Sequence, residues 1–205
     1  MSKYNFRTIF FLLDTSESME GTPIFVLNSL MRYILAILKK FILEGLDIRM
    51  CVLAFNTNAH WIVSTPCRPE NFNWRDYEAS GLSNIDNAYK MLYEKLSEHN
   101  FCKKYGDNPP TIILMSLGNT AVSCNTYFKL LRGNFFFNHA CRFTVDIPSV
   151  NKSVLENFTG CTEAILRLNI KYITENLRYA FSFIYDDLDE VEIAEIERDN
   201  MIRIK

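Results

Sequence analysis

Apolar runs of strand length alternate along this chain with longer stretches in which apolar residues recur every three or four positions. That alternation is the pattern of βαβ units and a mainly parallel sheet. The first run, Thr8 to Leu13, is continuously apolar, as suits a central strand covered on both faces. Ile24, Leu27, Met31, Ile34, Leu38 and Phe41 then mark one helical stripe, opened by Thr22-Pro23 and closed by Glu44-Gly45. Ile48 to Phe55 predicts a second strand. The connection Asn56-Thr57-Asn58 is too short for a crossover helix, so His60 to Ser64 must return as an antiparallel edge strand. Ile85, Ala88, Tyr89, Leu92 and Leu96 predict a helix starting near Ser83, and Thr111 to Leu117 repeats the signature of the first strand. A helix over 123–131, a strand over 142–147, a helix over 150–158, a strand over 164–168 and a helix over 173–185 complete the alternation. Residues 65–81 and 100–110 read as loops.

Composition narrows the function classes. The 205 residues are 48% apolar and include sixteen Phe and ten Tyr, so a large core is affordable and disorder is excluded. Lysine and arginine total 22 against 24 acidic residues and are dispersed, which leaves no basic footprint for nucleic acid. Cys51, Cys67, Cys102, Cys124, Cys141 and Cys161 show no zinc spacing and read as reduced thiols. With no secretory-signal pattern at the start, the expected compartment is the cytoplasm. The run Ile9-Phe10-Phe11-Leu12-Leu13 is far shorter than the roughly 20 residues a bilayer span needs, so no membrane role is expected.

In an open parallel sheet, ligands bind beyond the carboxyl ends of the strands where strand order reverses. Two loops qualify, Asp14-Thr15-Ser16-Glu17-Ser18-Met19 after the first strand and Ser116-Leu117-Gly118-Asn119 after the later central one. The segment Gly81-Leu82-Ser83-Asn84 can reach the same crevice. A carboxylate and two hydroxyls at alternate positions are hard oxygen donors, the type that Mg²⁺ takes at about 2.0–2.1 Å. The same residues also suit a structural role, since Ser and Asp at strand ends make turns and caps, and Ser83-x-x-Asp86 has the form of a capping box.

Asp14-Thr15-Ser16-Glu17-Ser18-Met19, followed by Gly21, Pro23, Ile24 and Asn28, resembles the opening of a von Willebrand factor A domain of the TerY-like type, found with tellurium-resistance gene clusters in bacteria. The resemblance runs through the strand ending at Phe55, the segment Gly81 to Ile85 and the strand ending at Gly118, and covers most of residues 6–187. It implies a Rossmann-like three-layer α/β sandwich with a mostly parallel six-stranded sheet and one antiparallel edge strand. Residues 1–187 would form that domain and 188–205 a charged tail. It also implies a metal-ion-dependent adhesion site (MIDAS) in which Asp14, Ser16 and Ser18 hold Mg²⁺ and Ser83 stands in for a threonine. The family's Thr-Asp-Gly falls on Ser116-Leu117-Gly118, so one carboxylate is missing and the ion would be held weakly. The implied function is non-catalytic: a protein-interaction module engaging an acidic side chain of a partner. Kinase-like and phosphatase-like proteins of stress-response systems are the partners the resemblance suggests.

Other chemistries find less support. Asp14 also occupies the nucleophile position of haloacid-dehalogenase-like, Mg-dependent phosphotransferases, but Ser16 stands where that mechanism needs a second carboxylate. His60, His99 and His139 have no serine or cysteine on a nucleophile elbow, and no glycine-rich phosphate loop is present. Phe135-Phe136-Phe137 is expected to pack between a helix and the sheet with one ring at the surface, the alternative being a hydrophobic contact for a partner, and Trp61 and Trp74 suit an interface or a cover for the sheet equally. The acidic stretch from Asp186 to Arg198 reads as a solvated tail, a partner-binding segment or a frayed continuation of the last helix, the solvated tail being the commonest case.

Overall fold

A computed structural model describes residues 6–43, 45–97, 109–120, 126–147, 151–162 and 164–167. Six strands form one sheet: β1 (Arg7–Asp14), β2 (Ile48–Phe55), β3 (Ala59–Cys67), β4 (Thr111–Met115), β5 (Cys141–Asp146) and β6 (Ile165–Arg167). Their order is β3-β2-β1-β4-β5-β6. Every pairing is parallel except β2 with β3, the hairpin that the three-residue connection required. The helices are α1 (Thr22–Leu43), α2 (Ile85–Ser97), α3 (Thr126–Arg132), α4 (Phe135–Asn138) and α5 (Lys152–Thr159). The predicted helix over 173–185, the tail with its boundary at 187, and the starts of the helices predicted at 123 and 150 fall outside the described residues, as do His99, Cys102 and Cys124.

The continuous apolar character of β1 is explained by two cores, one on each face of the sheet. Ile9, Phe11 and Leu13 point to the side covered by α1, where Leu27, Met31, Ile34, Leu38 and Phe41 supply the helical stripe. Phe10 and Leu12 point to the other side, against residues of α2, α3, α4 and α5. These side chains have essentially no exposure, and burying each is worth about 1.5–3 kcal/mol. Helix layers on both faces of a mixed sheet make the three-layer, Rossmann-like sandwich expected from the sequence. No helix among the described residues is long and apolar enough to cross a membrane.

Three local features depart from the sequence reading. β3 continues to Cys67, through Pro66, because its outer edge needs no partner N–H and irregular register opposite Met50 and Val52 lets it bend. The remainder of the segment to Gly81 is a strap along the α1 side of the sheet, where Phe72 and Trp74 lie against that core. Asn28 of α1 holds the strap with both ends of its amide: Nδ2 donates to the Tyr77 carbonyl at 2.9 Å and Oδ1 accepts from the Tyr77 N–H at 3.0 Å. The three phenylalanines form the single turn of α4, whose N-cap Asn134 accepts a bond from Phe137 N–H at 3.1 Å. Phe137 is 1% exposed and Phe135 61%, so the one-ring-outside arrangement is realised.

Candidate functional site

The sheet order reverses between β1 and β4, and the two strands end side by side with Leu13 opposite Met115. Asp14, the last residue of β1, and Ser116, the first after β4, therefore carry the polar groups at the ends of two adjacent buried strands. Asp14 has no solvent exposure. Its Oδ1 accepts the Ser16 N–H at 3.0 Å, while its Oδ2 accepts the Ser116 hydroxyl at 2.7 Å and the Ser83 hydroxyl at 3.2 Å. Burial raises the Asp14 carboxyl above its ordinary value, and the donors from Ser16, Ser116 and Ser83 offset only part of that effect.

Ser16 occupies the N-cap position of a single 3₁₀ turn, Glu17–Met19, yet its side chain makes no capping bond. The Ser16 and Ser18 hydroxyls instead lie 2.9 Å apart. Ser16 is buried and Ser18 exposed, so the pair runs from the buried carboxylate toward solvent. Met19 pins the turn from below by inserting into the α1-side core.

Ser83 lies between the end of the strap and the start of α2. Ser80 N–H donates to the Thr15 carbonyl and Glu17 N–H to the Gly81 carbonyl, both at 2.8 Å, which laces the end of the strap to the loop after β1. Gly81 has φ of +73°, and a Cβ there would lie 2.6 Å from Thr57 Oγ1, so this close approach requires glycine. α2 begins at Ile85, after Ser83. The capping-box reading therefore gives way: the Ser83 hydroxyl goes to Asp14, and Asp86 Oδ1 accepts from Tyr127 N–H at the start of α3.

The structure thus brings Asp14, Ser16, Ser18 and Ser83 to one spot and adds Ser116, which the sequence reading had not placed among the ligands. Its signal was positional, since Ser116 follows β4 as Asp14 ends β1. Leu117 brings no oxygen to this spot: its side chain is 3% exposed and belongs to the α1-side core. Ser116 also accepts a bond from Gly118 N–H at 3.0 Å, and Gly118, with φ of +70°, approaches the Asn151 carbonyl so closely that a Cβ would sit 2.6 Å from it.

The donor set consists of one carboxylate and several hydroxyls, a hard-oxygen environment that fits Mg²⁺ or a similar divalent ion in type and supplies only one negative charge. Among the described residues no three His, Cys, Asp or Glu side chains gather, so a cation here would depend on the hydroxyl oxygens.

No protein-family model and no curated protein sequence matches the chain. Solved structures do resemble it. Proximal thread matrix protein 1 of the mussel byssus superposes with a TM-score of 0.61 at 15% identity, over 86% of this chain and 47% of that one. A structure of the same mussel protein with a zinc-occupied MIDAS motif gives 0.60 at 12% identity, over 86% and 46% of the two chains. The pilus adhesin SpaC of Lactobacillus rhamnosus GG gives 0.67 at 8% identity, over 89% and 30%. This chain spans about half the length of the mussel protein. At these identities the likeness is one of fold: the chain has a von Willebrand A-like fold.

Proposed function

We propose that the chain is a non-catalytic interaction module whose cluster at the β1–β4 switch point engages an acidic side chain of a protein partner through a divalent cation. Asp14 would provide the charge, and Ser16, Ser18 and Ser83 the neutral oxygens. Ser116 would orient Asp14. Mg²⁺, when bound, would supply a positive centre for a partner carboxylate. The observation that carries this reading is the convergence of Ser83 and Ser116 on one buried carboxylate oxygen beside the paired Ser16 and Ser18 hydroxyls. It is supported by the zinc-occupied MIDAS motif of a protein with the same fold.

The finer reading is that Leu117 makes the site charge-poor, so that a partner's carboxylate completes it. Kinase-like or phosphatase-like proteins of a stress or tellurium-resistance system are the partners to test first, by analogy with the TerY-like proteins that the sequence resembles. Calorimetric titration of Mg²⁺ and Mn²⁺ with and without added acetate tests the charge argument. The expected result is affinity weaker than micromolar for the protein alone and tightening when a carboxylate is present. Micromolar affinity without any carboxylate would contradict it.

A nucleophilic Asp14 finds no comparable support. Ser16 stands where that mechanism needs a second carboxylate, and both Asp14 oxygens already accept hydrogen bonds from neighbouring groups. An enzyme of this type would hydrolyse an aryl phosphate with Mg²⁺ and lose the activity on Asp14→Asn; the expectation is no such activity.

A further inference from the structure

At the opposite end of the sheet, by the start of β5, a cavity of about 310 Å³ opens between α3, α4 and α5. Phe128 and Phe137 belong to the apolar core at its inner wall, and Arg132, Arg142, Asn138 and Asn157 supply polar groups. Arg142 is half-buried, 4.6 Å over the Phe137 ring. Its Nε donates to the Phe158 carbonyl at 2.9 Å, Nη1 to the Phe137 carbonyl at 2.6 Å and Nη2 to the Thr159 carbonyl at 3.3 Å. Gly160 leaves room for it, since a Cβ there would come within 3.3 Å of Nη2.

All three acceptors are neutral. They fix the guanidinium but leave its charge unneutralised, and two of its five N–H donors have no partner among these bonds. Arg132 brings a second positive charge; burial first, and then this neighbour, depress the Arg142 pKa from its ordinary value. Among the described residues neither arginine forms an ion pair, and Glu156 lines the cavity without coming within 4.0 Å of either guanidinium. Arg132 is exposed and Arg142 half-buried, so solvent screens part of their repulsion, and a carboxylate entering the cavity would find a charge-assisted donor in each.

We propose that this cavity is a carboxylate-binding site and that its occupant is the acidic segment 186–199 of the same chain. That segment carries eight Asp and Glu against the single Arg198, a charge complementary to the two guanidiniums. It lies outside the described residues. The chain leaves β6 at Arg167, on the strand paired with the one that carries Arg142, and residues 168–185 can span up to about 60 Å, ample to reach the cavity.

Limited proteolysis of the full chain by a glutamate-specific protease reads the occupancy directly, because the segment contains Glu190, Glu192, Glu195 and Glu197. In low salt, cleavage there should be about tenfold slower in the native chain than in Arg132→Glu, and the difference should vanish at about 0.5 M salt. Arg132 serves as the test position because its side chain is exposed and its bond to Asn138 Nδ2 is made by the backbone carbonyl, so the fold should survive; a thermal melt checks this. As a second arm, a synthetic peptide of residues 186–199 should bind the full chain only after Asp186→Asn, Asp187→Asn, Asp189→Asn and Glu190→Gln release the site. Equal cleavage rates in the native chain and Arg132→Glu would overturn the proposal. So would protection that grows with protein concentration, which would place the segment on a second copy, or peptide binding that is indifferent to the four substitutions.

Discussion

β1 and β4 lie side by side, run in the same direction and leave the sheet at the same level, yet they end in different chemistry. After β1 come a buried carboxylate and a turn of hydroxyls. After β4 come Ser116, whose hydroxyl serves that carboxylate, and Leu117, whose side chain joins the apolar core. The backbone of the second loop keeps its form: Gly118 retains a left-handed conformation and the Leu117 carbonyl accepts the Asn151 N–H at 2.8 Å. Loop geometry and charge are thus separable here. The β4 end positions its neighbour without adding charge, and the β1 end carries the only carboxylate of the cluster.

Removing that charge should have the largest effect. Asp14→Ala leaves Ser83, Ser116 and the Ser16 N–H without their acceptor and should cost about 3 kcal/mol in a denaturant titration. Asp14→Asn, which keeps an acceptor oxygen, should cost less while abolishing cation binding. Making the two strand ends alike in the other direction comes next. Leu117→Asp should lower the stability of the cation-free protein by about 2 kcal/mol, because it places a carboxylate where an apolar side chain was packed. The same change should tighten Mn²⁺ binding by tenfold or more, the equivalent of about 1.4 kcal/mol, as a second charge joins the site. Unchanged Mn²⁺ affinity would mean that Leu117 is not what weakens the cluster.

A smaller effect should separate the ends mechanically. Asn28→Ala removes both bonds to Tyr77 and should cost about 1–2 kcal/mol. Amide exchange should then accelerate around Tyr77 to Ser83 and leave Gly118 protected, since only the β1 end depends on the strap. If Gly118 also loses protection, the two ends are coupled more tightly than their separate anchors imply. The pH dependence is expected to be the most modest in size. A folded-state pKa raised above the unfolded value means that the native protein holds the Asp14 proton more tightly than the unfolded chain. Its contribution is therefore complete below the ordinary carboxyl value and declines as pH rises through the folded value. The stability of the native protein relative to Asp14→Asn should fall with rising pH and then level off. A rise instead would show that the surrounding donors outweigh burial.

The scaffold was legible because its signals are local or periodic. The apolar run of β1, the stripe of α1 and the three-residue connection after Phe55 each allow few alternatives. Asp14, Ser16, Ser18 and Ser83 could be singled out because strand ends at a switch point are where ligands gather. The rest depends on long-range contact that no spacing records. Ser83 had two plausible partners, a helix N-terminus or a distant carboxylate, and only the lacing of Ser80 and Gly81 to the first loop decides between them. Arg142 reads as an ordinary strand residue in sequence. Its role follows from carbonyls contributed by two helices that close over it. The loop read from residue 65 gives way to strand as far as Cys67, because β3 is an edge strand whose outer side has no neighbour in the sheet, so Pro66 loses no ladder bond there.

Crystals of the full chain soaked in Mn²⁺ with acetate, and mapped at an anomalous wavelength, test the central claim most directly. The account predicts an anomalous peak beside the Ser16 and Ser18 hydroxyls at metal–oxygen distance, strengthened by acetate and absent in Asp14→Asn. Full Mn²⁺ and acetate with no peak there, and the two hydroxyls still paired with each other, would contradict it.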